Sequence, residues 1–176
     1  MSGLSIAGSG LSLIDPSSGG GGINITQLAR GDFASTVTQN IANVSNPQAC
    51  TFDTPLNTQG ISLVASTKLT AAAAGYYLLV WTAQAHITSG SNKNIWMWLR
   101  KNGVDIANTM QDTQFNAGPP VYITGENIVQ LNANDYVEVW MAGDSTNCQI
   151  QAQTASAGPP AYPASPSLQV TINQIG

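Results

Sequence analysis

The stretch Gly75-Tyr76-Tyr77-Leu78-Leu79-Val80-Trp81-Thr82-Ala83-Gln84-Ala85-His86-Ile87 decides the fold, together with Ile95-Trp96-Met97-Trp98-Leu99 a short loop later. An extended chain turns successive side chains to opposite faces. Tyr77, Leu79, Trp81, Ala83, Ala85 and Ile87 therefore share one face, and Tyr76, Leu78, Val80, Thr82, Gln84 and His86 the other. The second segment is apolar on both faces. A half-solvated antiparallel strand alternates apolar with polar, and this pair largely does not. Both faces need cover: a second sheet for one, another subunit for the other. The pair predicts an oligomeric β-sandwich.

The 176 residues suffice for one domain with a true core plus an extension. Only 8% of them are charged, against roughly 25% in an ordinary soluble protein. Ser, Thr, Asn, Gln and Gly make up the difference, and such a surface suits permanent assembly better than free diffusion. The formal net charge is −4 and no basic stripe is present to neutralise phosphates, which argues against nucleic-acid binding. No run approaches the roughly 20 apolar residues of a membrane-spanning helix, and the amino terminus does not read as a secretory leader. Cys50 and Cys148 form no metal or redox motif and are expected as two free, buried thiols.

Residues 1–32 read as an extended, glycine-rich arm and residues 33–176 as the head. Leu4 and Ile6, then Leu11 and Leu13, alternate with small residues as short extended segments do. The run Gly19 to Gly22 cannot be held in a regular element without large entropic cost, so it reads as a linker or hinge. The arm is expected to dock on a partner through Leu4, Ile6, Leu11 and Leu13, by strand addition at a sheet edge. Arg30-Gly31-Asp32 matches an integrin-recognition tripeptide but reads here as a turn closing on Phe33.

The head alternates short strands with turns. Gln48 to Phe52 and Ile61 to Val64 read as strands separated by the turn-rich Asp53 to Gly60. Ala71 to Ala74 is too short for a stable helix and is assigned to loop. Asn102-Gly103 between apolar runs is a hairpin signal, because both residues tolerate positive φ. Val121 to Thr124, Glu126 to Leu131, Tyr136 to Met141 and Cys148 to Gln153 follow as strands. The proline-rich loop Gly158 to Pro166 cannot join a central ladder. The last strand, Ser167 to Ile175, places Leu168, Val170 and Ile172 inward. No helical periodicity appears. The expectation is an all-β, antiparallel jelly-roll sandwich of about ten strands behind an extended arm.

Several phrases resemble a known family. Thr67-Lys68-Leu69-Thr70 with Ala74-Gly75-Tyr76-Tyr77-Leu78-Leu79, then Trp98-Leu99-Arg100-Lys101-Asn102-Gly103, look like the globular head of the first complement component. That head shares the tumour-necrosis-factor-like jelly roll. Ile128 to Val139 resembles the family's leucine, short turn, glycine-aspartate, aromatic segment, with Asn134 where the family usually carries glycine. Pro166-Ser167-Leu168 and Val170-Thr171-Ile172-Asn173-Gln174-Ile175 also fit. The resemblance spans roughly residues 33–176 by eye. Versions of this head without a secretion signal and rich in Asn, Gln, Thr and Ser are similar to bacteriophage virion proteins. The resemblance implies a ten-stranded jelly roll, a tight homotrimer and no catalytic residues.

The chemistry-bearing residues are sparse. His86 is the single histidine, so any zinc site, triad or Cys-His pair has to use it. Its strand position favours a structural role. Asp105 and Asp112 are candidate oxygen donors, but no loop has the dense ligand spacing of a calcium motif. No catalytic, cofactor-binding or metal residue is assigned, and no enzyme activity is expected. The aromatic residues Trp81, Trp96, Trp98, Trp140, Tyr76, Tyr77 and Tyr136 sit in strands and are assigned to core and subunit contacts. Trp98, Tyr136 and Trp140 are the threefold-interface candidates, one or another of them expected at or near that contact. A glycan or receptor is expected instead at the loops Ser89 to Asn94, Asp112 to Val121 and Gly158 to Ser165. The leading expectation is a phage capsid decoration (cement) protein on the virion surface. It would be anchored by its arm to the major capsid or another virion protein. The alternative is the receptor- or glycan-binding head of a fibre or tail.

Overall fold

Alternation along the chain becomes two packed antiparallel sheets in the computed structural model. It describes residues 27–176 in full and, of the first 26, the backbone of 4–7, 10–13 and 23–24. The arm strands are β1 (Leu4–Ala7), β2 (Gly10–Leu13) and β3 (Ile23–Asn24), which form a sheet of their own. Next come β4 (Arg30–Ser35), β5 (Gln39–Asn40), β6 (Gln48–Ala49), β7 (Thr54–Gln59), β8 (Ile61–Val64) and β9 (Lys68–Ala71). Then follow β10 (Gly75–Ile87), β11 (Lys93–Lys101), β12 (Val104–Asp105) and β13 (Gln111–Phe115). The chain closes with β14 (Val121–Leu131), β15 (Tyr136–Gly143), β16 (Cys148–Ile150) and β17 (Leu168–Gln174). Ten of the head strands have four or more residues, and no helix occurs among the described residues.

The first head sheet runs β7-β4-β17-β10-β14, with β16 and β5 continuing beside the end of β10. The second runs β8-β9-β15-β11, with β12 and β13 on the far side of β11 and β6 beside β15. First and last head strands are thus neighbours, the crossover that distinguishes a jelly roll from a meander.

The two faces read from β10 separate as expected. Tyr77, Leu79, Trp81, Ala83, Ala85 and Ile87 are buried between the sheets, with Leu168, Val170 and Ile172 beside them. Ile95, Met97 and Leu99 answer from β11. Phe33 and Phe52 meet edge to face, centroids 6.3 Å apart. Each such large side chain contributes roughly 1.5–3 kcal/mol on burial, so this interlayer carries the head.

Four departures have physical reasons. Thr54 to Gln59 is a strand, not a turn: β7 is an edge, where Pro55 takes no central ladder position, and the register slips beside it at Asp32/Phe33. Arg30-Gly31-Asp32 opens strand β4 rather than forming a turn, paired with β17 and β7. β13 forms within the segment assigned to loop, because Gln111–Phe115 pairs along the edge of β11, where polar side chains remain in water. Val121 to Leu131 is one strand running through Gly125, not two. A Cβ at Gly125 would stand 2.3, 2.4 and 2.5 Å from the Trp81 atoms Cε2, Nε1 and Cζ2, so glycine makes room for the indole.

Turn chemistry follows the sequence closely. Asn102 and Gly103 both have positive φ, 50° and 82°, at the hairpin, and Asn134 adopts φ 70° in the glycine position of the resemblance. The Gly19 to Gly22 linker or hinge and the side chains of Leu4, Ile6, Leu11 and Leu13 lie outside the described residues.

Candidate functional site

The outward face of the first sheet is apolar where a lone subunit would place polar groups. On β10, Tyr76 is 50% exposed and Val80 39%; on β14, Tyr122 is 67% exposed and Ile128 63%. Leu78 stands opposite Ile128 and Val80 opposite Glu126 in the ladder, so these side chains form one stripe with Glu126 as the ionisable group on its β14 side. A hollow of about 380 Å³ lies beside Leu78, Glu126, Asn127 and Ile128. Across the same sheet, Ala34, Leu56, Ala164 and Pro166 line a second hollow of about 250 Å³ with Thr36 and Gln169 at its margin. Among the described residues β14 pairs with β10 alone, which leaves its other edge open along 11 residues.

The outward face of the second sheet carries the remaining tryptophans. Trp96 and Trp98 project from β11 and Trp140 from β15, all partly exposed, with Trp98 and Trp140 directly opposite in the ladder. Trp98 and Trp140 are held by their own chain. Trp98 Nε1 donates to Asp105 Oδ1 at 2.8 Å, and Trp140 Nε1 to Glu138 Oε2 at 3.3 Å. The Arg100 guanidinium lies over the Trp140 ring at 4.1 Å. Its Nε is 2.9 Å from Asp105 Oδ1, an ionic contact without hydrogen-bond alignment. Lys68 Nζ sits 4.5 Å above the Tyr136 ring. Asp112 stands opposite Trp96 on β13. The three residues Trp98, Tyr136 and Trp140 therefore share a face, but the more exposed apolar stripe lies on the other sheet. The signal for that stripe was in the sequence: Tyr76, Leu78 and Val80 share a face, as do Tyr122 and Ile128 at period two within Val121 to Leu131.

The other candidates are dispersed. His86 Nδ1 lies 3.1 Å from Gln149 Nε2, an amide partner that fits a structural role. Among the described residues no three His, Cys, Asp or Glu side chains are placed to hold a metal ion. Cys50 and Cys148 are free and buried, and burial raises both thiols above the ordinary thiol range. The loops Ser89 to Asn94 and Asp112 to Val121 meet through Ala117 N to Gly90 O (2.9 Å) and Asn92 N to Asn116 Oδ1 (2.9 Å). Gly158 to Ser165 belongs to a separate excursion closed on itself by the Gln153–Ser165 and Ser156–Tyr162 bridges.

At the turn between β14 and β15, Asp135 ties the two sheets. It accepts from Asn132 N (2.8 Å) and Asn102 Nδ2 (2.7 Å), and Lys101 Nζ is 3.0 Å away. These hydrogen bonds, the Asn132 amide foremost, lower its carboxyl from 3.8 to about 2.

No protein-family model and no curated protein matches the sequence. Among solved structures, crystal structures of murine APRIL at pH 5.0 and at pH 8.5 superimpose with TM-scores of 0.55 and 0.54. Identity is 8% and 9%; each alignment covers 85% of this chain and 100% of the murine chain. The likeness shows the fold: a tumour-necrosis-factor-like jelly roll.

Proposed function

We propose that the chain is a non-enzymatic structural protein of a bacteriophage virion, a homotrimeric decoration protein of the capsid. The observation that carries the assembly is the stripe on β10 and β14 formed by the exposed Tyr76, Val80 and Ile128 with the half-buried Leu78. An aliphatic and aromatic face of this kind is an aggregation hazard on a monomer and an ordinary interface in an oligomer. The whole outward face of this sheet has a comparable size: its five strands, of 6, 6, 7, 13 and 11 residues at ~3.3 Å per residue and ~4.8 Å spacing, present about 700 Å². A standard interface takes about 800 Å² per partner. The stripe and the Ala34, Leu56, Pro166 hollow are different patches, and unlike patches in contact close a ring rather than a twofold dimer. The threefold contact is therefore assigned to the β10–β14 face instead of Trp98, Tyr136 and Trp140.

The low charge and the glycine-rich composition of the arm support attachment to a shell. Ordering an arm costs roughly 1–2 kcal/mol per residue in backbone entropy, and three arms on one trimer offset that cost through effective concentration. Co-sedimentation with undecorated particles tests the attachment. The full chain pellets with the particles; a chain lacking residues 1–22 stays trimeric and remains in the supernatant. Equal pelleting of both forms would reject the arm as anchor.

A further inference from the structure

We propose that the tryptophan row on the outward face of the second sheet is a binding site for a neutral oligosaccharide, centred on Trp98. The inference goes beyond the structural role above and does not depend on it. Three of the chain's four tryptophans, Trp96, Trp98 and Trp140, lie partly exposed on this one face, while the fourth, Trp81, fills the core. Beside Trp98 the segment after β12 borders an open, shallow depression of about 290 Å³. Trp98, Asp105, Ile106, Ala107, Asn108 and Met110 line it. Met110 is 57% exposed, so one wall is open and apolar.

The chemistry of this face selects the occupant. An indole ring offers a flat apolar surface with a negative quadrupole, suited to the C–H face of a sugar ring. Asp105 fixes the indole by accepting from its Nε1 at 2.8 Å, and its side chain remains largely exposed. A carboxylate with two oxygens accepts further hydrogen bonds, here from sugar hydroxyls, and charge-assisted bonds of that kind are the strong ones. Asn108, held at φ 62° by the turn, adds an amide that both donates and accepts at the same rim.

Charge argues against anionic partners. The cations on the face are already engaged, Arg100 over Trp140 and against Asp105 and Lys68 over Tyr136, whereas the carboxylates of Asp105 and Asp112 at the border repel phosphate, sulfate or sialate. A nucleic acid would also stack on tryptophan but needs its phosphates neutralised. A trimer built on the opposite sheet leaves three copies of this face pointing outward, where avidity raises the apparent affinity of a repeating polysaccharide.

The test is tryptophan fluorescence of the full chain titrated separately with maltohexaose, cellohexaose, mannohexaose and chitohexaose, with heparin hexasaccharide as the anionic control. At least one neutral hexasaccharide is expected to shift the emission saturably below 5 mM, and heparin is expected to give no saturable change. Trp98→Ala is expected to weaken that binding at least tenfold, and Asp105→Asn several-fold, with thermal melting confirming a folded head. If Trp98→Ala does not fold, Met110→Glu, which places a charge on the open wall, serves as the second variant with the same expected loss. No saturable binding by any neutral probe, binding unchanged by the variants, or stronger binding of heparin would each overturn the proposal.

Discussion

Gly125→Ala isolates the packing logic of the sandwich at one atom. The new Cβ would stand 2.3–2.5 Å from three atoms of the Trp81 indole, where carbon atoms ordinarily rest at about 3.5–4.0 Å. Relief needs a displacement of more than 1 Å. Trp81 is fully buried and has no free direction. Gly125 is not among the positive-φ residues, so the backbone accepts alanine, and the stiffer unfolded chain returns about 0.4–1 kcal/mol. Overpacking of this kind costs about 1–3 kcal/mol and sometimes more; with the clash spread over three ring atoms, the upper end applies, and the net loss is about 2 kcal/mol. For a chain of this length that lowers Tm by roughly 4–8 °C, read by circular dichroism at fixed protein concentration because assembly shifts Tm. Trp81→Phe removes the indole nitrogen and part of the ring that the methyl meets, and the nitrogen has no hydrogen-bond partner to lose. The double variant should therefore be less destabilised than the sum of the singles by at least about 1 kcal/mol. An alanine variant as stable as the native chain, or strictly additive singles, would refute the assignment of Gly125 as the recess for Trp81.

Asp135→Asn should cost about 1–2 kcal/mol at neutral pH, since it removes a charged acceptor from the Asn132, Asn102 and Lys101 groups. The carboxyl is lowered on folding, so its contribution is complete above about pH 4 and disappears as pH falls toward 2. Urea melts of the two proteins should differ at pH 6 and converge between pH 4 and 2; a gap that widens on acidification would contradict the hydrogen-bond assignment. Cys50 and Cys148 should be inert to a water-soluble disulfide reagent in the native head and release two thiols after unfolding. Rapid native labelling of both would contradict their burial.

What the sequence revealed and what it hid divide along physical lines. Period-two burial is a local property, so the inward set from Tyr77 to Ile87 was readable, as were the Asn102-Gly103 hairpin and the Asn134 turn, where backbone chemistry is written in one or two residues. Edge strands were less legible. β7 contains Pro55 and β13 is polar throughout except Phe115, so both read as loop until the register of their neighbours places them. Gly125 looked like a strand break because its partner Trp81 is 44 positions away in the chain. The tryptophans were the hardest to assign. Alternation says that Trp96 and Trp98 face away from Met97, but only the sheet pairing shows that Trp140 joins them and that the more exposed stripe lies on the other sheet.

Sedimentation equilibrium of the full chain at micromolar concentration, beside Val80→Asp and Ile128→Asp, addresses the assembly most directly. A buried charge without a partner is expelled from an apolar interface, whereas on a solvent-exposed face the same substitutions are nearly neutral. The native chain is predicted to sediment at three times the 18.3 kDa subunit mass, and both variants as folded monomers. A native monomer, or variants that remain trimeric, would contradict assembly through the β10–β14 face.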